Sequence, residues 1–396
     1  MTESDPSQLI TDIEELCYMY MKRYLSSGQQ PALGDLQPHY RKFVNWMQKQ
    51  VHKYECGDLL HGNERDWDKL AFNNDYFASL VARLESSAPE AQLAIALGEA
   101  LPKILNDKVD PLRISFENKL SHNIYAHMTG IEILYANLCG YIDALAHKNP
   151  DLAILEVGAG TGGATVPIID TLMHHGEHEL GSGRFRKYDF TDLSPYFFDT
   201  ARELFQTSLD YLNFRILDIE LDPLPQGFEA HQYDVVIAAN VLHATKHIDR
   251  TLQNLHKLLK PGGKLLLLEV TNFQVLRHSF VVGMLPGWWL SEDPDRQDTP
   301  LLSTGDWSTH LKKCGFSGVD ISFDDYPDKA NQAMSVIVST AEVLSASYPM
   351  LPQTLIIADM ASELPKGGGE YPLIYKGILF ILIQLYYFRI IKKFII

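Results

Sequence analysis

An apolar segment that runs directly into a glycine-rich turn limits the fold of this chain more than any other feature. Residues 154–163 read ILEVGAGTGG, with one acid, Glu156, in the apolar stretch and Gly158, Gly160 and Gly162 in the turn. The residues that follow carry apolar side chains at helical spacing. Because glycine has no Cβ, backbone amides in such a turn can approach a ligand closely. Strand, glycine turn and helix predict the first unit of a nucleotide-binding α/β domain.

Chain length, charge and cysteine usage restrict the class of partner and the environment. With 396 residues, the chain can hold two domains, or one α/β domain with a large extension. Its 34 basic and 50 acidic residues give a net charge of −16, which opposes contact with a phosphate backbone, so nucleic acid is not an expected partner. The four cysteines are far apart and form no CxxC pair, and the polar N-terminus lacks a signal-peptide pattern. A cytoplasmic location is therefore expected.

The spacing of the apolar residues differs before and after residue 150. Apolar stripes at helical spacing predict a helical subdomain over residues 1–149, either a packed bundle or, as we prefer, a lid over the site that follows. Residues 150–345 alternate between strands and helices and predict a Rossmann-like sheet of seven strands, mostly parallel, with an antiparallel hairpin at one edge. Within this core, residues 272–304 form a long insertion without regular structure. The predicted strands are 153–157, 186–191, 213–217, 234–239, 264–270, 318–323 and 335–339, and the predicted helices are 163–173, 195–206, 248–259 and 306–314.

The last segment, residues 346–396, does not match the texture of the rest of the chain. Its apolar run at 377–388 contains Gln384 and is shorter than the ~20 residues that cross a bilayer. A weak membrane anchor flanked by Arg389, Lys392 and Lys393 stays an alternative, and we prefer to interpret this end as non-native sequence.

Gly158, Gly160 and Gly163 also satisfy GxGxxG, so a dehydrogenase has to be considered. Glu156 argues against it, because a carboxylate at the strand end repels a pyrophosphate and suits a cationic group instead. The next acid at a strand end, Asp192, comes later than the ~20 residues expected for an acid that binds the ribose of NAD. The dehydrogenase is therefore the least favoured interpretation.

The order ExGxGxGG, an acid after the second strand, YDVVIAANVLHAT and LLKPGGKLLLLEV resembles class I S-adenosylmethionine-dependent methyltransferases. The segments NVLHAT at 240–245, LLLLEVT at 265–271 and GMLPGWWL at 283–290 are similar to the C-methyltransferase domain of fungal highly reducing polyketide synthases. The resemblance covers about residues 7–345. It implies S-adenosylmethionine as cofactor, other polyketide synthase domains as partners, and methylation of the α-carbon of a β-ketoacyl thioester on an acyl carrier protein. LPQTLIIADM at 351–360 resembles the start of a following domain.

Carbon methylation needs a base, because the carbon between a ketone and a thioester is only weakly acidic. His243 follows the fourth predicted strand and Glu269 ends the fifth, so both lie at the carboxyl end of neighbouring strands. Both also match the His–Glu dyad of the family, which predicts His243 as base and Glu269 as its partner. The alternatives are a pocket-lining or capping histidine and a structural acid. Methylation of oxygen or nitrogen on a small molecule, and a catalytically silent fragment, stay open as alternative functions.

The cofactor site is predicted from acids and an amide at strand ends. Asp192 is expected to bind the ribose, Asp218 the adenine amino group, with a turn cap as the alternative for Asp218. Asn240 adds a contact from the loop after the fourth strand, and Glu156 faces the ammonium group. The glycines Gly158, Gly160 and Gly162 complete this predicted cofactor site.

The acceptor side is predicted from aromatic residues. Tyr125 is expected to cover the substrate, and Trp288 and Trp289 to wall the acyl or pantetheine channel, although simple packing explains each of them as well. The histidines of the HHxxH run (His174, His175 and His178) have no acid in register. No metal site is therefore predicted.

Overall fold

The computed structural model describes residues 6–28, 30–62, 65–116, 127–173 and 183–343. These residues belong to one compact unit, Met1–Leu344. Tyr125, the histidines of the HHxxH run and the segment 346–396 lie outside the described residues, so the expectations for them stay untested. Within the described ranges, no helix combines the length and the apolar character that a membrane span requires.

Seven strands form one sheet, as the sequence predicts. The order is β3-β2-β1-β4-β5-β7-β6, and the first five strands are parallel. β7 runs antiparallel to both β5 and β6, which gives the predicted hairpin at one edge. The strands are β1 (Ala153–Val157), β2 (Lys187–Asp192), β3 (Leu212–Ile216), β4 (Tyr233–Ala239), β5 (Leu259–Val270), β6 (Ile321–Asp324) and β7 (Met334–Thr340).

Helices cover both faces of the sheet, because successive residues of each strand point to opposite sides. In β1, Ile154 packs into the core shared with the N-terminal helices, whereas Leu155 packs into a second core with Leu252 and Trp307. Both faces of the sheet are therefore covered by packed apolar side chains. The side chains at the strand ends are the ones available to form a site. The helices of the sheet region are α8 (Thr165–Met173), α9 (Tyr196–Leu204), α10 (Ile248–Leu258), α11 (Leu276–Val282) and α12 (Thr304–Lys313).

The predicted helical region is confirmed before the sheet. Its first helix, α1, is buried along almost its whole length and packs against four other helices of the region and against α11. The helices are α1 (Ser7–Ser26), α2 (Pro38–Glu55), α3 (Trp67–Ala71), α4 (Asn74–Leu84), α5 (Pro89–Ile104), α6 (Pro111–Phe116) and α7 (Ile131–Lys148).

Among the differences from the predicted boundaries and textures, three have a clear local reason. β5 begins at Leu259 instead of residue 264, because Leu259 pairs with Tyr233 and a register shift carries the Pro-Gly-Gly turn within the strand. The insertion 272–304 is not irregular throughout, since it contains α11 and two short 3-10 turns. α12 begins two residues earlier than predicted because Ser303 forms a capping box with Asp306.

Candidate active site

His243 and Glu269 meet at the carboxyl end of the sheet. His243 lies in a 3-10 turn, Leu242–Ala244, just after β4, and Glu269 is the penultimate residue of the adjacent strand β5. The Nδ1 of His243 is 2.5 Å from Oε2 of Glu269. Both side chains are almost fully buried, at 10% and 1% exposure. The neighbouring strands thus bring these two predicted residues into contact.

The partners of Glu269 determine which nitrogen of His243 carries the proton. Oε1 of Glu269 accepts the backbone N–H groups of Val241 (3.2 Å) and Leu242 (2.9 Å), so Oε2 is the oxygen that faces His243. A carboxylate oxygen accepts, so Nδ1 of His243 is the donor. The lone pair of the neutral ring then lies on Nε2, and this nitrogen is free to act as a base.

A buried arginine that sequence reasoning missed holds the loop of His243 in place. Nη1 of Arg296 donates to the carbonyl oxygen of His243 (3.1 Å), and Nη2 donates to that of Thr245 (2.8 Å). Asp293 accepts from Nε of the same guanidinium at 3.1 Å. No pattern in the insertion distinguishes this arginine from a surface one, so no sequence signal identifies it.

The glycine turn lies beside the loop after β4. Gly158, Gly160 and Gly162 all have positive φ angles (63°, 52° and 82°). The N–H of Gly160 donates to Oδ2 of Asp192 at 3.0 Å, so this acid contacts the turn directly. Asp192 is the last residue of β2, where the sequence predicts an acid at the strand end. The turn and Asp192 therefore form one structural element of the site.

Substitution of Gly158 by alanine is expected to lower the free energy of unfolding by about 2 kcal/mol or more. Its φ of +63° is unfavourable for alanine, and the added Cβ would lie 2.6 Å from Cγ2 of Val241. Urea unfolding of the variant measures the loss. Gly34→Ala is the control, because a Cβ at Gly34 meets nothing within 4 Å. Equal stability of Gly158→Ala and wild type would contradict this geometry.

Glu156 lies inside the sheet next to the turn and is 1% exposed. Its Oε2 accepts the hydroxyl groups of Thr165 (2.7 Å) and Tyr188 (2.5 Å). Burial raises the pKa of Glu156 to about 7, and the charge of Asp192 adds to this effect. The structure thus gives Glu156 two partners in the protein, which the sequence did not indicate. Its contact with an ammonium group stays a prediction.

The raised pKa makes Glu156 a source of pH-dependent stability. The folded state holds the proton up to about pH 7, whereas the unfolded chain releases it near 4.5. The stabilising contribution is therefore complete below the unfolded value and is lost as pH rises through the folded value. Glu156→Gln, which does not titrate, is expected to gain stability over wild type by on the order of 2 kcal/mol between about pH 5 and about pH 8. Denaturant unfolding at both pH values measures this, and a difference that does not change with pH would refute it.

An apolar cavity of about 280 Å³ opens next to His243. Its walls come from the loop after β4, from one residue each of β5 and β7, from α11 and the segment after it, and from Leu93, Ser115 and Met128 of the region before the sheet. Trp288 lies in the wall edge-on to His243, with the ring centroids 5.1 Å apart. The volume corresponds to about nine water molecules at ~30 Å³ each, enough for a short acyl group.

Trp289 and Asp218 do not lie where the sequence predicts them. Trp289 does not line it: its Nε1 donates to the carbonyl oxygen of Gly283 (2.7 Å) and its ring borders a surface groove beside α2. Asp218 does not end β3, which stops at Ile216, and its Oδ1 accepts the N–H of Glu220 in a turn. The turn that was the alternative for Asp218 is thus present.

The residues at the carboxyl edge fit the cofactor that the sequence resemblance implies. A Cβ added at Gly160 would meet only the carbonyl oxygen of Gly158, at 3.9 Å, so the turn has an open face for a ligand. Asn240 follows β4 with a φ of 55°, and its buried Oδ1 has no hydrogen-bond partner among the described residues. An open glycine face and an unpartnered acceptor are features of a polar ligand site.

Comparison with known proteins gives a consistent result. Residues 155–265 match the family described as "Methyltransferase domain". The highly reducing polyketide synthase NEC1 of Pyricularia oryzae is 44% identical over 352 residues, which cover 88% of this chain and 12% of the synthase. The chain spans about an eighth of the length of the curated relatives it matches.

Two solved structures share the whole architecture. The trans-methyltransferase CalH, in complex with SAH, superposes with a TM-score of 0.70 at 28% identity, over 86% of this chain and 92% of CalH. The CurJ carbon methyltransferase gives a TM-score of 0.69 at 28% identity, over 85% and 93% of the two chains. The chain thus contains a methyltransferase domain with the class I fold, and along most of its length it is similar to segments of highly reducing polyketide synthases and to the carbon methyltransferase CurJ.

Proposed function

We propose that this chain transfers a methyl group from S-adenosylmethionine to the α-carbon of a β-ketoacyl thioester held on an acyl carrier protein. The observation that carries the proposal is the contact of Glu269 with His243, which lines an apolar cavity. A base oriented by a buried carboxylate suits the removal of a proton from carbon, and an apolar cavity suits an acyl chain. The other polyketide synthase domains are the proposed partners.

His243 starts the reaction as the general base. Its Nε2 takes the α-proton, and the electron pair of the broken C–H bond spreads onto the neighbouring carbonyl oxygens. Glu269 stabilises the imidazolium that forms at His243, because its carboxylate stays at 2.5 Å from Nδ1. When bound, S-adenosylmethionine would supply the methyl group: the α-carbon would bond to the methyl carbon as the carbon–sulfur bond breaks, and the sulfur would leave as a neutral thioether. His243 then releases its proton to water.

The cofactor is assigned to the edge of the sheet that holds the glycine turn. Asp192 is proposed for the ribose, Asp218 for the adenine and Glu156 for the ammonium group, with Asn240 completing the contacts. Gly158, Gly160 and Gly162 would let the backbone approach it. Trp288 is proposed for the wall of the acyl site, and Tyr125 for the cover predicted from the sequence. Trp289 borders the surface groove beside α2 and has no proposed role in the cavity.

We also propose the domain division that the sequence predicts. Residues 1–149 would contribute the cover, residues 150–345 the methyltransferase core, and residues 346–396 the start of a following domain with a non-native end. Leu93, Ser115 and Met128 support the first part, since they already line the cavity.

An isotope-labelled transfer assay tests the function. The chain is incubated with S-adenosylmethionine labelled with ¹³C in the methyl group and with acetoacetyl-pantetheine, and NMR locates the label. Label on the α-carbon is the expected result. Label on oxygen or nitrogen of an acceptor would instead favour the small-molecule alternative. Failure to bind S-adenosylmethionine in calorimetry would indicate a silent fragment.

A further inference from the structure

The cavity beside His243 carries three unsatisfied polar atoms. Oδ1 of Asn240, Nδ1 of His278 and Nε1 of Trp288 are each buried and lack a hydrogen-bond partner in the part of the chain that the structure describes. All three residues line the same space. A buried polar atom without a partner costs about 1–3 kcal/mol, so three in one apolar wall indicate a ligand with polar groups.

The three atoms differ in whether they donate or accept a hydrogen bond. Oδ1 of Asn240 only accepts, and Nε1 of Trp288 only donates, whereas a histidine nitrogen does either. The two oxygens of a β-ketoacyl thioester, on the ketone and on the thioester, only accept. They therefore need donors, which His278 and Trp288 can supply and Asn240 Oδ1 cannot.

We propose that His278 and Trp288 form a two-donor site that binds the carbonyl oxygens of the β-ketoacyl group and stabilises the enolate made by His243. This inference rests on the proposed function and adds its substrate-binding residues. His278 lies on α11, in the insertion, and Trp288 in the 3-10 turn that follows, so one segment supplies both donors. Neither donor comes from the strands that carry the dyad.

His278 acts as a neutral donor. Burial lowers its pKa to about 3, and the adjacent Arg277 adds to the effect. A neutral imidazole offers one N–H to an oxygen without placing a positive charge near the cationic methyl donor, which an imidazolium would repel. The same neutrality keeps His278 from competing with His243, because a group with so low a pKa is a poor base.

The step is balanced without any proton transfer at His278. The α-proton goes to Nε2 of His243, and the electron pair of the C–H bond forms the carbon–carbon double bond of the enolate. The carbonyl π pair moves onto oxygen, where the N–H groups of His278 and Trp288 stabilise the charge. When the α-carbon bonds to the methyl group, the pair returns and the carbonyl is restored.

Exchange of the α-proton of acetoacetyl-pantetheine with D₂O, without any methyl donor, tests the inference. His278→Leu and Trp288→Phe are each expected to slow enzyme-catalysed exchange by about 10²-fold, because each removes one donor to the enolate. His278→Gln keeps an N–H donor and is expected to lose less. In methyl transfer, kcat should fall more than KM rises, since the contacts strengthen as charge develops.

The outcomes distinguish this inference from the function on which it rests. If wild type neither exchanges the proton nor transfers a methyl group, the proposed function fails. If wild type does both and His278→Leu and Trp288→Phe match its exchange rate, the donor site is refuted and the function stands. Unchanged melting temperature and affinity for S-adenosylmethionine establish that each variant is folded. If His278→Leu does not fold, Trp288→Phe decides on the same criterion.

Discussion

Replacement of His243 by alanine is expected to slow methyl transfer by about 10²–10⁴-fold, the usual contribution of a positioned base. The effect should fall on the chemical step, because His243 contacts Glu269 and the cavity, while the glycine turn and Asp192 lie on the preceding strands. Affinity for S-adenosylmethionine should therefore stay close to that of wild type. Single-turnover transfer of a labelled methyl group measures the rate, and calorimetry measures the affinity.

A matched histidine provides the control for this result. His52 has a side chain that is 76% exposed, on α2, and His52→Gln is expected to transfer at the wild-type rate. His243→Ala with an unchanged rate would remove the base from the proposed mechanism. Loss of cofactor affinity in His243→Ala would instead point to a structural role for the loop.

Substitution of Glu14 by glutamine is expected to lower the free energy of unfolding by about 3–5 kcal/mol. Glu14, on α1, accepts Nη1 of Arg277 at 2.9 Å and the backbone N–H of Leu276 at 2.6 Å. Both charged side chains are buried, at 0% and 2% exposure. Glutamine removes one charge and leaves the buried guanidinium without its hydrogen-bonded ionic partner, which is costlier than losing the pair as a whole. Chemical unfolding of the variant and of wild type measures the difference.

An exposed pair gives the contrast for this prediction. Glu55, half exposed, forms an ion pair with Lys22 at 3.2 Å. Glu55→Gln is expected to change stability by less than about 1 kcal/mol, because water screens such a pair. Equal losses for Glu14→Gln and Glu55→Gln would mean that the buried pair does not join α1 to the insertion as the structure indicates.

The contact between His243 and Glu269 could be predicted from the sequence because strand order in an α/β sheet is regular. β4 and β5 are consecutive, parallel and adjacent, so residues at their carboxyl ends must lie near one another. His243 and Glu269 occupy those ends. The glycine turn was predictable for the same reason, since it directly follows the first strand.

The insertion could not be predicted because tertiary contacts decide its structure. Arg296 and His278 lie in this segment, and neither has a sequence pattern that separates it from surface residues. Trp288 and Trp289 are neighbours, yet a 3-10 turn directs them to different sides, one to the cavity and one to a groove. Glu156 was expected to face a ligand, but it accepts the hydroxyl groups of Thr165, from the helix after the turn, and of Tyr188, from the adjacent strand β2.

The buried ion pair between α1 and the insertion can form only late during synthesis of the chain. Glu14 and Arg277 are 263 residues apart, and Asn331, from the turn before β7, donates to the Ser7 side chain. At roughly 5–20 residues per second, the first helix leaves the ribosome about 13–50 seconds before its ionic partner. During that interval Glu14 has no ionic partner, and the face of α1 that later packs against α11 stays in water, whereas the contacts of α1 with α2–α5 can form much earlier.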